Sequence, residues 1–190
     1  CLPSLRSRRL LLMSTNTNPI VDIETPLGTI SVEIDAEHAP GTAANFLGYV
    51  DRGDFNTGRF YRTVTPDNQP HDTIRIAVIQ GGMASLDDYP RRDVETITLE
   101  RTTLTGLKHL DGTISMARLT PDSANSEFFI CVGAQPDLDF GGMRNPDGQG
   151  FAAFGQVIDG MDVVHAINSS PCEEQHLTPP IEIVSIKRRG

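Results

Sequence analysis

The sequence predicts a mainly β fold: a closed antiparallel barrel covered by two α-helices. Three observations lead there. Short runs in which apolar and polar residues alternate recur along the chain, as half-buried strands require. One run, Ser126 to Val132, is apolar on both sides, with Phe129 and Cys131 pointing one way and Phe128, Ile130 and Val132 the other. That pattern suits a strand in a closed or doubly covered sheet. Two isolated stretches, near residues 40–52 and 160–168, carry helical periodicity instead.

The first hairpin spans Ile20 to Asp35. Val21 and Ile23 alternate with acidic residues, Pro26-Leu27-Gly28-Thr29 supplies the turn, and Ile30, Val32 and Ile34 alternate again. The first helix runs from Pro40, which fits a first-turn position, to Arg52, with Gly53 as its stop. Its stripe is Ala43, Phe46, Leu47 and Val50. The spacing assigns it to plugging one end of the barrel rather than to chemistry.

Arg59 to Val64 is the next strand. Strict alternation puts Phe60, Arg62 and Val64 on one face, so Arg62 has apolar neighbours and is either a snorkelling side chain or part of a site. Ile74, Ile76, Val78 and Gln80 share a face of the following strand, which ends at Gly81-Gly82. Ala84 to Lys108 is polar and irregular, with one strand candidate, Thr96 to Leu99. Thr113 to Ala117 is half-buried, with Ile114 and Met116 alternating, and a polar loop with Pro121 and Asp122 leads from it to Ser126. The second helix, Met161 to Asn168, turns Val164 and Ile167 inward, and Ile181, Ile183, Val184 and Ile186 make a closing strand.

At 190 residues the chain is most simply one domain, from residue 19 to 190, behind a disordered tail over residues 1–18. The net charge of −9 disfavours nucleic acid, and it becomes more negative still once Arg6, Arg8 and Arg9 of the tail are set aside. No run is long and apolar enough to span a membrane. Ser7-Arg8-Arg9 before leucines is faintly like a twin-arginine signal, but Leu10 to Met13 is too short for its apolar core. Cytoplasmic placement in a bacterium is the expectation, with a periplasmic protein or a lipid anchor on Cys1 as alternatives. The three cysteines are odd in number and lack a paired spacing, so neither a disulfide framework nor a zinc site is indicated. The five histidines are scattered without ligand spacing, and no metal is expected. The Gly-rich stretch Asp137 to Gly150 lacks the spacing and terminal Glu of a calcium loop. Gly148-Gln149-Gly150-Phe151-Ala152-Ala153 precedes a strand instead of opening a helix after one, so it is not a dinucleotide fingerprint.

Three blocks then carry a resemblance. Ser115-Met116-Ala117, a polar Pro-containing loop and Ser126-Glu127-Phe128-Phe129-Ile130-Cys131 resemble the signature region of the cyclophilins, the cyclosporin-binding peptidyl-prolyl isomerases. Arg59 to Val64 with Val78-Ile79-Gln80-Gly81-Gly82 forms a second block, and Phe151 to Val157 with Gly160 to Val164 a third. The resemblance runs from about Ile20 to Lys187, and Asp137 to Gly150 is similar to an insertion in bacterial members.

The resemblance implies a prolyl isomerase that acts on proline-containing polypeptides and needs no cofactor, assists protein folding and works as a monomer. Arg62 is then the catalytic residue. Val78, Phe129 and Leu138, with Phe151, are expected around the proline ring, Gln80 and the Ala117-Arg118 backbone along the substrate chain, and Phe60 and Glu127 among the further substrate-binding residues. Four departures stand out. Ala77 replaces a Phe, Arg118 an Asn and Glu127 a Gln, the last placing a carboxylate where it can pair with Arg62. The family's tryptophan is absent, with Asp137 near its place, so cyclosporin is expected to bind weakly or not at all. The alternative function is a proline-peptide-binding module on the same scaffold with little turnover.

Overall fold

The computed structural model describes residues 18–83 and 94–190. The tail expected over residues 1–18 therefore lies, but for Asn18, outside the described residues. Ten strands form one antiparallel sheet: β1 (Ile20–Thr25), β2 (Gly28–Ile34), β3 (Arg59–Val64), β4 (Val78–Gly82), β5 (Thr113–Met116), β6 (Phe128–Cys131), β7 (Ala153–Asp159), β8 (Cys172–Glu173), β9 (His176–Glu182) and β10 (Ser185–Arg188). Their order is β10-β1-β2-β7-β5-β6-β4-β3-β9-β8.

The C-terminal run brings the margins of this sheet towards each other in a barrel-like fold. β9 pairs with β3 and β10 pairs with β1. Between them the Ile183 amide bonds the Gly58 carbonyl at 2.9 Å and the Val184 amide bonds the Glu24 carbonyl at 2.8 Å. One continuous chain thus links β9, next to one margin of the sheet, with β10 at the other. Ile183 is fully buried where the chain crosses, whereas Val184 is 48% exposed.

Among the described residues the α-helices are α1 (Pro40–Arg52), α2 (Thr102–Thr105) and α3 (Met161–Asn168). α1 ends as the sequence predicts, with Gly53 in the left-handed region at φ 74° and its amide bonded to Tyr49 and Val50. Its apolar stripe is buried, and Phe46 meets Phe128 of β6 edge-on at 5.5 Å and Phe154 of β7 at 5.2 Å. Val163, Val164 and Ile167 of α3 join the same core, so both helices contribute to one interior. α2 is a four-residue turn stopped by Gly106, which the sequence reading did not anticipate.

Two clusters of apolar side chains explain why β6 is apolar on both sides. Phe128 and Ile130 belong to the barrel interior, while Phe129 and Cys131 belong to a smaller cluster outside it with Val64, Ile76, Val78, Ala117 and Leu138. Burial pushes the Cys131 thiol far up, so it stays protonated and serves as packing.

Elsewhere the elements differ from expectation for physical reasons. Thr96 to Leu99 forms a single bridge, Ile97 to Ala124, and, two residues on, the Leu99 amide goes to the Asp122 carboxylate at 2.7 Å instead of extending it. β8 and the first half of β9 are not anticipated in the sequence, and Pro179 and Pro180 of β9 are exposed, as prolines in an outer strand should be. On β3 the pairing register shifts between Phe60 and Arg62, a bulge centred on Tyr61. Strict alternation therefore fails there, and Phe60 and Arg62 part company.

Candidate active site

The outer cluster floors a pocket of about 140 Å³. β6 supplies Phe129, β4 supplies Val78 and Gln80, and the end of β5 leads into Ala117 and Arg118. Leu138 comes from a 3-10 turn, Pro136–Leu138, and Phe151 lies just before β7, its amide bonded to the Leu138 carbonyl at 2.9 Å. Phe151 meets Phe129 edge-on at 5.6 Å. Arg62 stands at the edge of this apolar hollow.

The guanidinium of Arg62 is held on two sides. Nη1 donates to Oε1 of Gln80 at 2.9 Å, while Nε and Nη2 donate to Oε1 of Gln175 at 2.9 and 2.6 Å. Gln80 in turn donates from Nε2 to the Tyr61 hydroxyl at 3.0 Å, and that hydroxyl donates to Oε2 of Glu127 at 2.8 Å. Gln175 has no counterpart in the sequence reading, because its approach to Arg62 depends on how β9 docks on β3.

Eight of the ten expected site residues line the pocket: Arg62, Val78, Gln80, Ala117, Arg118, Phe129, Leu138 and Phe151. The other two do not. Phe60 is fully buried inside the barrel, 5.8 Å from Phe128, because the bulge at Tyr61 turns it away from the face of Arg62. Glu127 is fully buried beneath the groove, where it accepts from Tyr61, from Ser126 Oγ at 2.8 Å and from the Met83 amide at 3.1 Å. Gly82 makes room for it: a Cβ there would lie 2.5 Å from Glu127 Oε2, and its φ of 153° also favours glycine.

Ile76, Leu119 and Arg144 also line the pocket and were missed. Ile76 had a signal, since it shares a face with Val78 and Gln80. Arg144 had none, because it sits in the middle of a glycine-rich loop.

Arg118 shows how a long cation is accommodated in the wall. Its Nη1 and Nη2 bond both carboxylate oxygens of Asp147 at 2.7 and 2.9 Å, and its Nε bonds the Gly150 carbonyl at 2.8 Å. The guanidinium carbon lies 4.8 Å from the centre of the Phe151 ring. The hydrogen bond from Arg118 holds the Asp147 carboxyl below the usual range.

A second unforeseen feature lies under the floor. The His109 ring stacks on Phe129 at 6.0 Å and 14°, with Nδ1 2.7 Å from Asp139 Oδ1 and Nε2 2.9 Å from Ser115 Oγ. These are the residue types of a nucleophilic triad, but His109 and Ser115 are both buried beneath the pocket floor. Their role is to fix the floor. Burial pushes the Asp139 carboxyl up, but the hydrogen bonds and charge of His109, with Lys108 nearby, outweigh it and the net shift is down. Among the described residues no group of three or more His, Cys, Asp or Glu side chains is placed to hold a metal ion. No helix among them is long and apolar enough to cross a membrane.

The site is an apolar pocket on the outside of an antiparallel sheet, edged by an anchored arginine. Comparison with known proteins gives the family. Residues 20–188 match the family model described as cyclophilin type peptidyl-prolyl cis-trans isomerase/CLD. The chain is 32% identical over 185 residues to a peptidyl-prolyl cis-trans isomerase of Acinetobacter baylyi, covering 93% of this chain and 90% of that one. It is 34% identical over 149 residues to peptidyl-prolyl cis-trans isomerase B of Escherichia coli, covering 78% and 83%. A crystal structure of a Cryptosporidium parvum cyclophilin-type isomerase shares the fold, with a TM-score of 0.72 at 22% identity over 91% of this chain and 98% of that one. The same protein has also been crystallised in the presence of the dipeptide Ala-Pro. The chain belongs to the cyclophilin-type peptidyl-prolyl cis-trans isomerase family, and its activity is isomerisation of Xaa-Pro peptide bonds.

Proposed function

We propose that Arg62 carries the isomerisation and that the pocket floored by Phe129 seats the proline ring. No bond is made or broken in this reaction. The barrier to rotating an Xaa-Pro bond, roughly 18–20 kcal/mol, comes from amide resonance, which the nitrogen lone pair sustains. A hydrogen-bond donor aimed at that nitrogen localises the lone pair and lowers the barrier. Arginine suits the task because it stays charged and offers several donors. The observation that carries this reading is the anchoring of the Arg62 guanidinium by Gln80 and Gln175 at the mouth of an apolar pocket.

The rest of the site supplies grip. Val78, Phe129, Leu138 and Phe151 surround the ring with apolar surface and keep water from the rotating bond. The Ala117 amide is spent on the Glu127 carbonyl, but the Ala117 carbonyl and the Arg118 amide make no backbone hydrogen bond among the described residues. That pair holds the substrate chain as an added strand. A millionfold acceleration needs roughly 8 kcal/mol off the barrier, more than one charge-assisted hydrogen bond provides, so grip on the twisted peptide contributes the remainder.

Proline-containing polypeptides are the substrates, and a short Ala-Pro peptide is the simplest probe. The test is magnetisation-exchange NMR of cis/trans interconversion on such a peptide, with Arg62 intact and replaced.

A further inference from the structure

The pocket contains a guanidinium that the isomerisation step leaves unused. Arg144 lies on the loop joining Leu138 to Phe151, lines the same pocket, and has a side chain only 13% exposed. Every hydrogen bond described for it leaves from one nitrogen. Nη1 donates to Oε1 of Gln69 at 2.8 Å and to the Ile74 carbonyl at 2.7 Å, with the half-exposed Asp72 carboxylate 3.2 Å away. Nε and Nη2 make no hydrogen bond among the described residues. Neither is sealed from solvent, since no fully buried side-chain polar atom there lacks a partner.

Those two nitrogens form one edge of the guanidinium, with two parallel N–H groups. That edge matches a carboxylate in bidentate fashion. It is pinned from behind by two carbonyl oxygens, so little freedom is lost when it is used. Arg118, by comparison, has spent its donors on Asp147 and Gly150. Among the described residues no carboxylate lines this pocket; Asp67, Asp72 and Glu174 lie in the adjoining groove beyond Arg62. The net charge of −9 opposes an acidic ligand at long range, but salt screens that field within about 8–10 Å, whereas a contact pair acts locally.

We propose that Arg144 is a specificity-determining residue whose Nε and Nη2 take the carboxylate of a substrate Asp or Glu adjacent to the proline. The enzyme then favours acidic neighbours of the isomerising bond. This rests on the reading that the pocket seats the proline ring.

The experiment measures catalytic efficiency by exchange NMR on short peptides carrying Glu, Gln or Lys before the proline and, in a second set, after it. At one of the two positions the Glu peptide is turned over about fivefold or more efficiently than the Lys peptide, with Gln between, as a charge-assisted bidentate contact predicts. Raising the salt lowers that ratio in the unaltered protein. Arg144→Met, which keeps an apolar stem, brings the ratio towards one. If that variant unfolds, the wild-type ratio and its salt dependence decide. A wild-type Glu/Lys ratio at or below one at both positions overturns the proposal. So does a ratio that Arg144→Met leaves unchanged. Arg62→Ala, run on the same peptides, separates the two readings. If it retains full turnover, the pocket assignment fails and the Arg144 proposal falls with it. If it loses turnover on every peptide while Arg144→Met keeps the wild-type ratio, only the Arg144 proposal fails.

Discussion

The Tyr61 hydroxyl donates a 2.8 Å hydrogen bond to Oε2 of Glu127, and both side chains are buried. The same hydroxyl accepts from Gln80, which accepts from Arg62. A carboxylate beneath the groove is thereby tied to the Arg62 guanidinium through one phenol and one amide. In a buried setting such a chain has a fixed sense: each donor's direction sets the next.

Tyr61→Phe cuts the chain in the middle. Glu127 loses one of three described donors and Gln80 loses an acceptor, so stability should fall by about 1–3 kcal/mol, the usual cost of leaving buried polar groups unsatisfied. Turnover should fall several-fold through kcat, since the orientation of Arg62 matters most at the transition state. Denaturant unfolding and peptide kinetics check both. An unchanged protein on both counts removes the chain from the mechanism.

Glu127→Gln tests the direction of the chain. Ser126 and the Met83 amide claim one oxygen, leaving the new amide nitrogen facing Tyr61. The phenol must then accept instead of donate, and Gln80 must turn its nitrogen towards Arg62. Turnover should therefore fall, and a double-mutant cycle with Tyr61→Phe should show coupling. Turnover that rises would mean that the carboxylate restrains Arg62 instead of positioning it.

Much of this was legible before the structure, and the omissions share a cause. Both main helices and the strands through Arg59 and Phe128 announce themselves by periodicity, and Gly53 marks a stop by its chemistry. The bulge at Tyr61 is invisible to alternation, which is why Phe60 was assigned to the groove and lies in the core. Glu127 was expected beside Arg62 because sequence distance says nothing about an intervening phenol and amide. Arg144, Gln175 and His109 reach the site from a loop, a strand margin and a turn. Their partners are 75, 113 and 30 residues away in the chain.

The support under Phe129 predicts an acid dependence. The Asp139 carboxyl titrates below its ordinary 3.8 in the folded protein. A depressed folded value means that its contribution is complete above the unfolded value and is lost as pH falls through the folded one. Asp139→Asn should therefore lower stability at neutral pH and flatten the further loss below about pH 4. Asp22 and Asp147 shift in the same direction, so both proteins still weaken in acid, and the difference between their curves is diagnostic. Parallel curves would contradict the assignment.

Cyclosporin should inhibit peptide turnover poorly. The chain has no tryptophan to offer a broad apolar contact and an indole N–H. A titration reaching full inhibition at nanomolar drug would show that the ligand finds its contacts elsewhere on this surface.

The central claim is that Arg62 accelerates rotation about the Xaa-Pro bond, and exchange NMR on a short Ala-Pro peptide with wild type and Arg62→Ala tests it most directly. The variant should keep the wild-type far-UV and near-UV circular dichroism while losing more than about tenfold in turnover, or 1.4 kcal/mol of transition-state stabilisation. Arg62→Lys should recover only part of that, because an ammonium cannot reproduce the planar fork that Gln80 and Gln175 hold. Wild-type turnover in a folded Arg62→Ala protein would contradict the claim.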